Sequence, residues 1–218
     1  MVIESQKIIF IHCCKTGGSS VLAGFFANDG INMKQVNRLP ADIAKKYWVQ
    51  ESWKHAPALK LKKDLQEKFD EYYKFSMIRN PWDRFMSQTN WVYRPKHDPS
   101  GFKKFRDDFR DTTFSFWEDR IYNHRSYWPM TFMLCDKEDN LLVDEVFDIT
   151  EMKKVTEKFG IAEFRKKEAN SRSSFAMFDE YDWKRFDDIV TKLYKKDIEY
   201  FNYDRSPFVE DRLDEDLI

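Results

Sequence analysis

The apolar positions of the chain change period along its length, and the changes mark its elements. Ile8, Ile9, Phe10 and Ile11 form a short continuous apolar run rich in β-branched residues, the pattern of a strand buried on both faces of a parallel sheet. Gly17 and Gly18 follow. Ser19 and Ser20 then stand where an N-cap belongs, before the apolar run Val21 to Phe26, which predicts a helix with Gly30 as its C′ residue. Beyond a polar connector, Ala41 to Trp48 predicts a short helix. Pro57 opens another, in which Leu59, Leu61, Leu65 and Phe69 lie partly at helical spacing opposite a lysine-rich solvated face. Tyr73 to Ile78 predicts a second strand. It runs directly into a helix start with Asn80 as N-cap, Pro81 at the first helical position and Asp83 at N3.

The second half is more aromatic. Phe102 to Trp128 predicts helix, with Phe105, Phe109, Phe116 and Ile121 in the core. Phe132 to Cys135 and Leu141 to Phe147 flank the turn DKEDN and predict two short strands, and Asp148 to Gly160 predicts a helix capped by Thr150. Trp183, Phe186, Ile189, Val190, Leu193 and Tyr194 follow the spacing of an amphipathic helix. Strands separated by helices indicate an α/β fold with a mainly parallel central sheet flanked by helices.

Composition narrows the class. With 218 residues, 42% of them hydrophobic and 17% aromatic, the chain can bury a core in one domain over residues 1–204, ahead of an acidic, frayed tail over 205–218. A net charge of −1 gives no global field for nucleic acid or an anionic membrane, so an anion site must be local. Cys13, Cys14 and Cys135 are odd in number and two are adjacent, which fits a reduced, cytoplasmic protein. His12, Cys13 and Cys14 lack the spaced second pair of a zinc site. No run reaches the ~18 apolar residues of a spanning helix, and the N-terminus shows no basic region before a long apolar segment, so no integral membrane segment is expected.

The chemistry concentrates after the first strand. A strand, a glycine loop and a helix point backbone N–H groups and the positive end of a helix dipole at one spot, which suits an anion. Lys15, Thr16, Ser19 and Ser20 add an ammonium and three hydroxyls there, a set better matched to phosphate or sulfate than to a carboxylate. The loop of nucleoside triphosphatases places its lysine after the glycines, in G-x-x-x-x-G-K-[ST]. Here Lys15 precedes Gly17 and Gly18, so an ATP or GTP loop is disfavoured. Farther on, Arg79 stands at the carboxyl end of the second strand, and Ser87 lies about two helical turns beyond Asn80. The two residues are spaced to hold one phosphate.

The run FIHCCKTGGSS resembles the 5′-phosphosulfate loop of the sulfotransferases related to the heparan sulfate 2-O-sulfotransferases, F-I-H-x-x-K-T-G-G-[ST]-[ST]. RNPWDRFMS resembles the 3′-phosphate motif of the same family, R-N-P-[YF]-D-R-x-x-S, with Trp82 in place of the usual tyrosine. The closing DWKRFDDIVTKLYKKDIEYFNYD is also similar to that family's last helix, so the likeness covers most of the chain, closely to about residue 92 and loosely afterwards. The resemblance implies a nucleotide-binding core of the P-loop-like kind and transfer of a sulfuryl group from 3′-phosphoadenosine 5′-phosphosulfate (PAPS), without a required metal, to a hydroxyl on a small molecule or glycan. It assigns Lys15, Thr16, Gly17, Gly18, Ser19 and Ser20 to the 5′ end of the donor, with Lys15 also stabilising the leaving oxygen, and Arg79 and Ser87 to its 3′-phosphate. A similar Asn/Ser/Arg loop near the cofactor makes Ser171 and Arg172 of NSRSS candidate contacts. The family carries a histidine where WKHAP stands here, which makes His55 the candidate base, while His12 supports the loop and His97 and His124 have no comparable context. The alternatives are a nucleotide-dependent kinase or other phosphoryl transferase, and a non-catalytic nucleotide-binding module.

Overall fold

The computed structural model describes residues 1–30, 47–48, 55–93, 101–162, 178–207 and 209–210. In chain order its elements begin with β1 (Val2–Ile3), β2 (Ile8–Ile11), α1 (Gly18–Asn28), β3 (Tyr47–Trp48), α2 (Ala58–Leu65), α3 (Glu67–Glu71) and β4 (Tyr73–Ile78). There follow α4 (Pro81–Val92), α5 (Gly101–Asp111), α6 (Phe114–Asn123), α7 (Met130–Leu134), β5 (Glu145–Asp148), α8 (Met152–Phe159), α9 (Glu180–Leu193) and α10 (Lys195–Tyr200). The chain divides into two compact units, Met1–Ile78 with Met130–Arg165 and Arg79–Pro129 with Lys166–Ile218.

The first unit is the α/β one. Its sheet has the order β3-β1-β2-β4-β5. Strands β2, β4 and β5 are parallel, with Phe10 opposite Phe75 and Phe75 opposite Glu145, while β1 and β3 add two short antiparallel strands at one side. The apolar run of β2 is buried throughout, as expected of a strand covered on both faces. On one face Phe10, Phe75, Met77 and Phe147 pack with Val21 and Phe25 of α1 and Val155 of α8. Phe75 lies at the centre of this cluster, its ring 4.9 Å from Phe10 and 4.3 Å from Phe159. The amide of Asn28 at the end of α1 donates to the carbonyl of Gly160 just past α8 (2.7 Å).

The second unit is helical. Phe85 of α4 sits among the rings of Trp117, Tyr127 and Phe186 in edge-on contacts of 5.3 to 5.8 Å. The amphipathic face predicted for α9 is the buried one: Trp183, Phe186, Ile189 and Val190 all join this core. Two buried acids are paired inside the unit. Asp182 accepts from the Arg110 guanidinium (Nε to Oδ1, 2.6 Å), and Asp197 lies 3.9 Å from Arg84.

Several local expectations are corrected. Gly17 is the N-cap of α1, and Ser19 and Ser20 lie inside the first turn, because the chain must already turn at a left-handed residue to leave β2. Tyr47 and Trp48 are strand, paired with Ile3 and Val2; the edge offered by β1 outweighs a weak helical pattern, and 41–46 lie outside the described residues. The helix predicted from Pro57 onward is broken at Gln66 (φ 52), and its second piece is tied by Lys68 Nζ and Tyr72 OH to Glu4 (2.8 and 2.6 Å). The aromatic segment from Phe102 is helical as expected, divided into α5 and α6 and a closing turn at Arg125–Tyr127.

Phe132 to Cys135 is not a strand. Met130, Met133 and Leu134 are buried while Phe132 is 55% exposed, a helical periodicity that makes α7, and a single bridge between Cys135 and Leu141 is what the hairpin amounts to. The strand expected over Leu141 to Phe147 is β5, displaced toward Asp148. Asp148, not Thr150, caps the following turn. Its carboxylate accepts from Thr150 N and the Glu151 carboxylate accepts from Asp148 N, a reciprocal pair that satisfies both amides.

Candidate active site

In the first unit the site is built where β2 ends. Ile11 accepts a hydrogen bond from Ser76 Oγ of β4 (2.7 Å), and the same hydroxyl lies 3.6 Å from Cys13 Sγ, so the strand end and the loop are fastened to the neighbouring strand. Thr16 is fully buried, and its hydroxyl donates to the Cys13 carbonyl (2.9 Å). The threonine of the KTGGSS loop therefore holds the loop's shape, whereas Lys15 and Ser20 are partly exposed and Ser19 is exposed. Lys15 stands at φ 65 and Gly17 at φ 88. A left-handed lysine is unusual, and such backbone outliers gather where a surrounding structure enforces them for function.

The two glycines are needed for different reasons. Gly17 combines its left-handed φ with Ile149 and Met152 side chains 3.2 Å from where a Cβ would stand. Gly18 has no such φ, but a Cβ there would lie 2.2 Å from Cδ2 and 2.4 Å from Nε2 of His12. The imidazole of His12 thus rests on the first residue of α1. The opening turn of that helix leaves N–H groups without intrahelical acceptors, and with the dipole they favour an anion at this end.

His55 reaches the same place from 43 residues away. Its Nδ1 is 2.9 Å from the backbone oxygen of His12, and the two rings are 4.2 Å apart. A carbonyl oxygen only accepts, so Nδ1 carries the proton of this bond, and in the neutral ring Nε2 holds the lone pair. His55 is also left-handed, at φ 57. The two residues the sequence offers for chemistry, Lys15 and His55, are thereby both held in backbone conformations that side chains seldom adopt.

The second block lies in the second unit. Arg79 is the residue after the last of β4 and is partly exposed, and Ser87 is nearly buried on α4. Between them Asn80 caps the helix, its Oδ1 accepting from Trp82 N (3.1 Å) and its Nδ2 donating to the Asp204 carbonyl (2.9 Å). Trp82 turns its indole N–H to Asp187 (2.9 Å). Arg84 is buried, donates to the Trp128 carbonyl and faces Asp197 and the Tyr194 ring, so it belongs to the unit's interior.

Ser171, Arg172 and His97 lie outside the described residues. His124 caps the end of α6 and is exposed. One residue and one contact of the loop's framework were missed by sequence reasoning. Ser76 carried a signal, as the one hydroxyl inside the otherwise apolar end of its strand; the contact of His12 with His55 carried none. Among the described residues no group of three or more His, Cys, Asp or Glu side chains is placed to hold a metal ion, and no helix is long and apolar enough to cross a membrane.

Comparison with known proteins adds one finding. The family model described as "Sulfotransferase family" matches residues 1–204, a span that contains the β2–α1 loop, His55, Arg79 and Ser87. Searches of curated proteins and of solved structures returned no match. The match covers nearly the whole chain, and the chain belongs to the sulfotransferase family.

Proposed function

We propose that this sulfotransferase takes its sulfuryl group from PAPS and passes it to a hydroxyl of a carbohydrate. The observation that carries this reading is the loop after β2, where a left-handed Lys15 and the start of α1 are joined at one strand end by the Nδ1-tethered His55 from 43 residues away. In this reading Lys15 and the first N–H groups of α1 receive the 5′-phosphosulfate, with Ser19 and Ser20 beside them. Arg79 and Ser87 take the 3′-phosphate, and Ser171 and Arg172 are further contacts.

The reaction is an in-line displacement at sulfur, close in its physics to phosphoryl transfer. The acceptor oxygen forms the new S–O bond while the bond to the 5′-phosphate oxygen breaks, and that oxygen keeps the electron pair. Lys15 and the helix N–H groups stabilise the charge that develops on it. The acceptor's proton passes to Nε2 of His55, the nitrogen that the bond to His12 leaves with the lone pair. Binding of the remote 3′-phosphate holds the donor in place without taking part in bond making. Charge is handled by the chain's own groups, and the scheme needs no metal. A reducing, cytoplasmic setting suits Cys13, Cys14 and Cys135.

Incubation with sulfur-labelled PAPS and a panel of glycans and simple phenols tests the proposal. Label transferred to a glycan hydroxyl is the expected outcome. Transfer of a phosphoryl group from ATP with Mg²⁺, and none of sulfur from PAPS, would overturn it.

A further inference from the structure

Resting on the reading of His55 as the base, we infer that His12 is a positioning residue that fixes the tautomer and the aim of that base and ties both to the donor loop. Three contacts of His12 meet here. Its backbone oxygen takes the Nδ1 proton of His55 at 2.9 Å. Its ring lies 4.2 Å from the His55 ring and 5.6 Å from Phe10, which in turn lies tilted against Phe75 at 4.9 Å. The Cδ2–Nε2 edge of the imidazole sits on Gly18, so closely that no Cβ fits between them.

Each contact has a distinct consequence. The carbonyl selects the Nδ1–H form, which turns the basic Nε2 lone pair away from the peptide. The succession of rings from Phe75 through Phe10 and His12 connects His55 to the centre of the sheet cluster, so a side chain from a left-handed residue is positioned by the closely packed core of the unit. Contact with Gly18 places the same ring on the helix start that receives the donor. A shift of the loop is therefore felt by the base, and the base is aligned only when the loop has its donor-binding shape. Gly18 is kept small for His12 as much as for a phosphate.

The test reads the ring before it reads the rate. Long-range proton–nitrogen correlation on the ¹⁵N-labelled full chain reports which ring nitrogen of His55 bears hydrogen, and the inference expects Nδ1. Histidine in water favours the opposite tautomer, so a resonance pattern with Nε2 protonated refutes it outright, without any variant. His12→Ala keeps the carbonyl and removes the ring. Its expected effects are a His55 still protonated at Nδ1, as the retained carbonyl requires, but with its ring no longer held in place, and a kcat lowered about 10²-fold, with affinity for 3′-phosphoadenosine 5′-phosphate unchanged. Unaltered kcat, or kcat and affinity falling together, would show that the ring serves nothing or serves the loop alone, and either result overturns the positioning role. His55→Gln separates the two layers: it should cost about 10²- to 10⁴-fold in kcat. An active His55→Gln enzyme would remove the base assignment beneath the inference, while the wild-type spectrum would still decide the hydrogen bond.

Discussion

Between β2 and α1 the conformation is imposed by the backbone. Lys15 and Gly17 are left-handed, Gly18 admits no Cβ, and the buried hydroxyl of Thr16 turns inward to Cys13. From Arg79 to Ser87 the conformation is imposed by side chains. Asn80 caps, Trp82 and Phe85 enter an aromatic core, and Arg84 is paired inside it. In the first block the lysine and serines sit on a loop shaped by its backbone, whereas in the second Arg79 and Ser87 flank and join a helix whose other side chains shape it. Substitutions in the first block should accordingly strike activity more than stability, and those in the second stability more than activity.

The largest effect is expected from Arg84→Ala. It removes a cation that lies 3.9 Å from the fully buried carboxylate of Asp197, and breaking such a buried pair typically costs about 3–5 kcal/mol. A urea melt with a midpoint unchanged from wild type would show that the second block does not depend on its interior side chains. Lys15→Ala is the counterpart in the first block. It should lower kcat by an amount equivalent to about 3–4 kcal/mol, the cost of removing one preorganised donor, while the melt stays put and 3′-phosphoadenosine 5′-phosphate still binds. Gly18→Ala sharpens the contrast, since a Cβ 2.2 Å from His12 forces ring or backbone to move, at about 1–3 kcal/mol of strain. Asn80→Ala removes a cap and should cost about 1 kcal/mol, measured in the same melts.

The smallest effect is one of pH and lies in neither block. The hydrogen bond to Glu4 pushes the Tyr72 phenol up to about 12. Burial pushes the Glu4 carboxyl up, but the bonds from Lys68 and Tyr72 outweigh it and hold the group below its ordinary value. The signs follow from linkage. The Tyr72 contribution is complete below its ordinary value of 10 and is lost as pH rises through about 12. The Glu4 contribution is present above 4.5 and is lost as pH falls through its lowered folded value. Ultraviolet titration of Glu4→Gln should bring the Tyr72 transition back toward 10, and an unmoved transition would remove Glu4 as its cause.

What could be read from the chain follows the same division. The uninterrupted run Ile8 to Ile11, the order of Lys15 and the glycines, and Asn80-Pro81 ahead of an apolar face are local signals, and each fixes its element through steric or capping rules that need no partner. The strand Tyr47–Trp48 exists because β1 offers an edge, and α7 because Met130, Met133 and Leu134 find a core, and neither reason is written locally. The same holds at the site. Lys15 and the glycines announce an anion loop, but the tether of His55 to His12 spans 43 residues and depends on the fold, as does the inward turn of Thr16. The break at Gln66 was equally hidden, since the bonds that secure its far side run to Glu4.

The proposal stands or falls on the donor, and the direct test is calorimetric titration with 3′-phosphoadenosine 5′-phosphate, set against 5′-AMP and against ATP with Mg²⁺. Binding is expected to need the 3′-phosphate, to proceed without metal and to be weakened mainly by Arg79→Ala. No binding, or a preference for ATP with Mg²⁺, would contradict it.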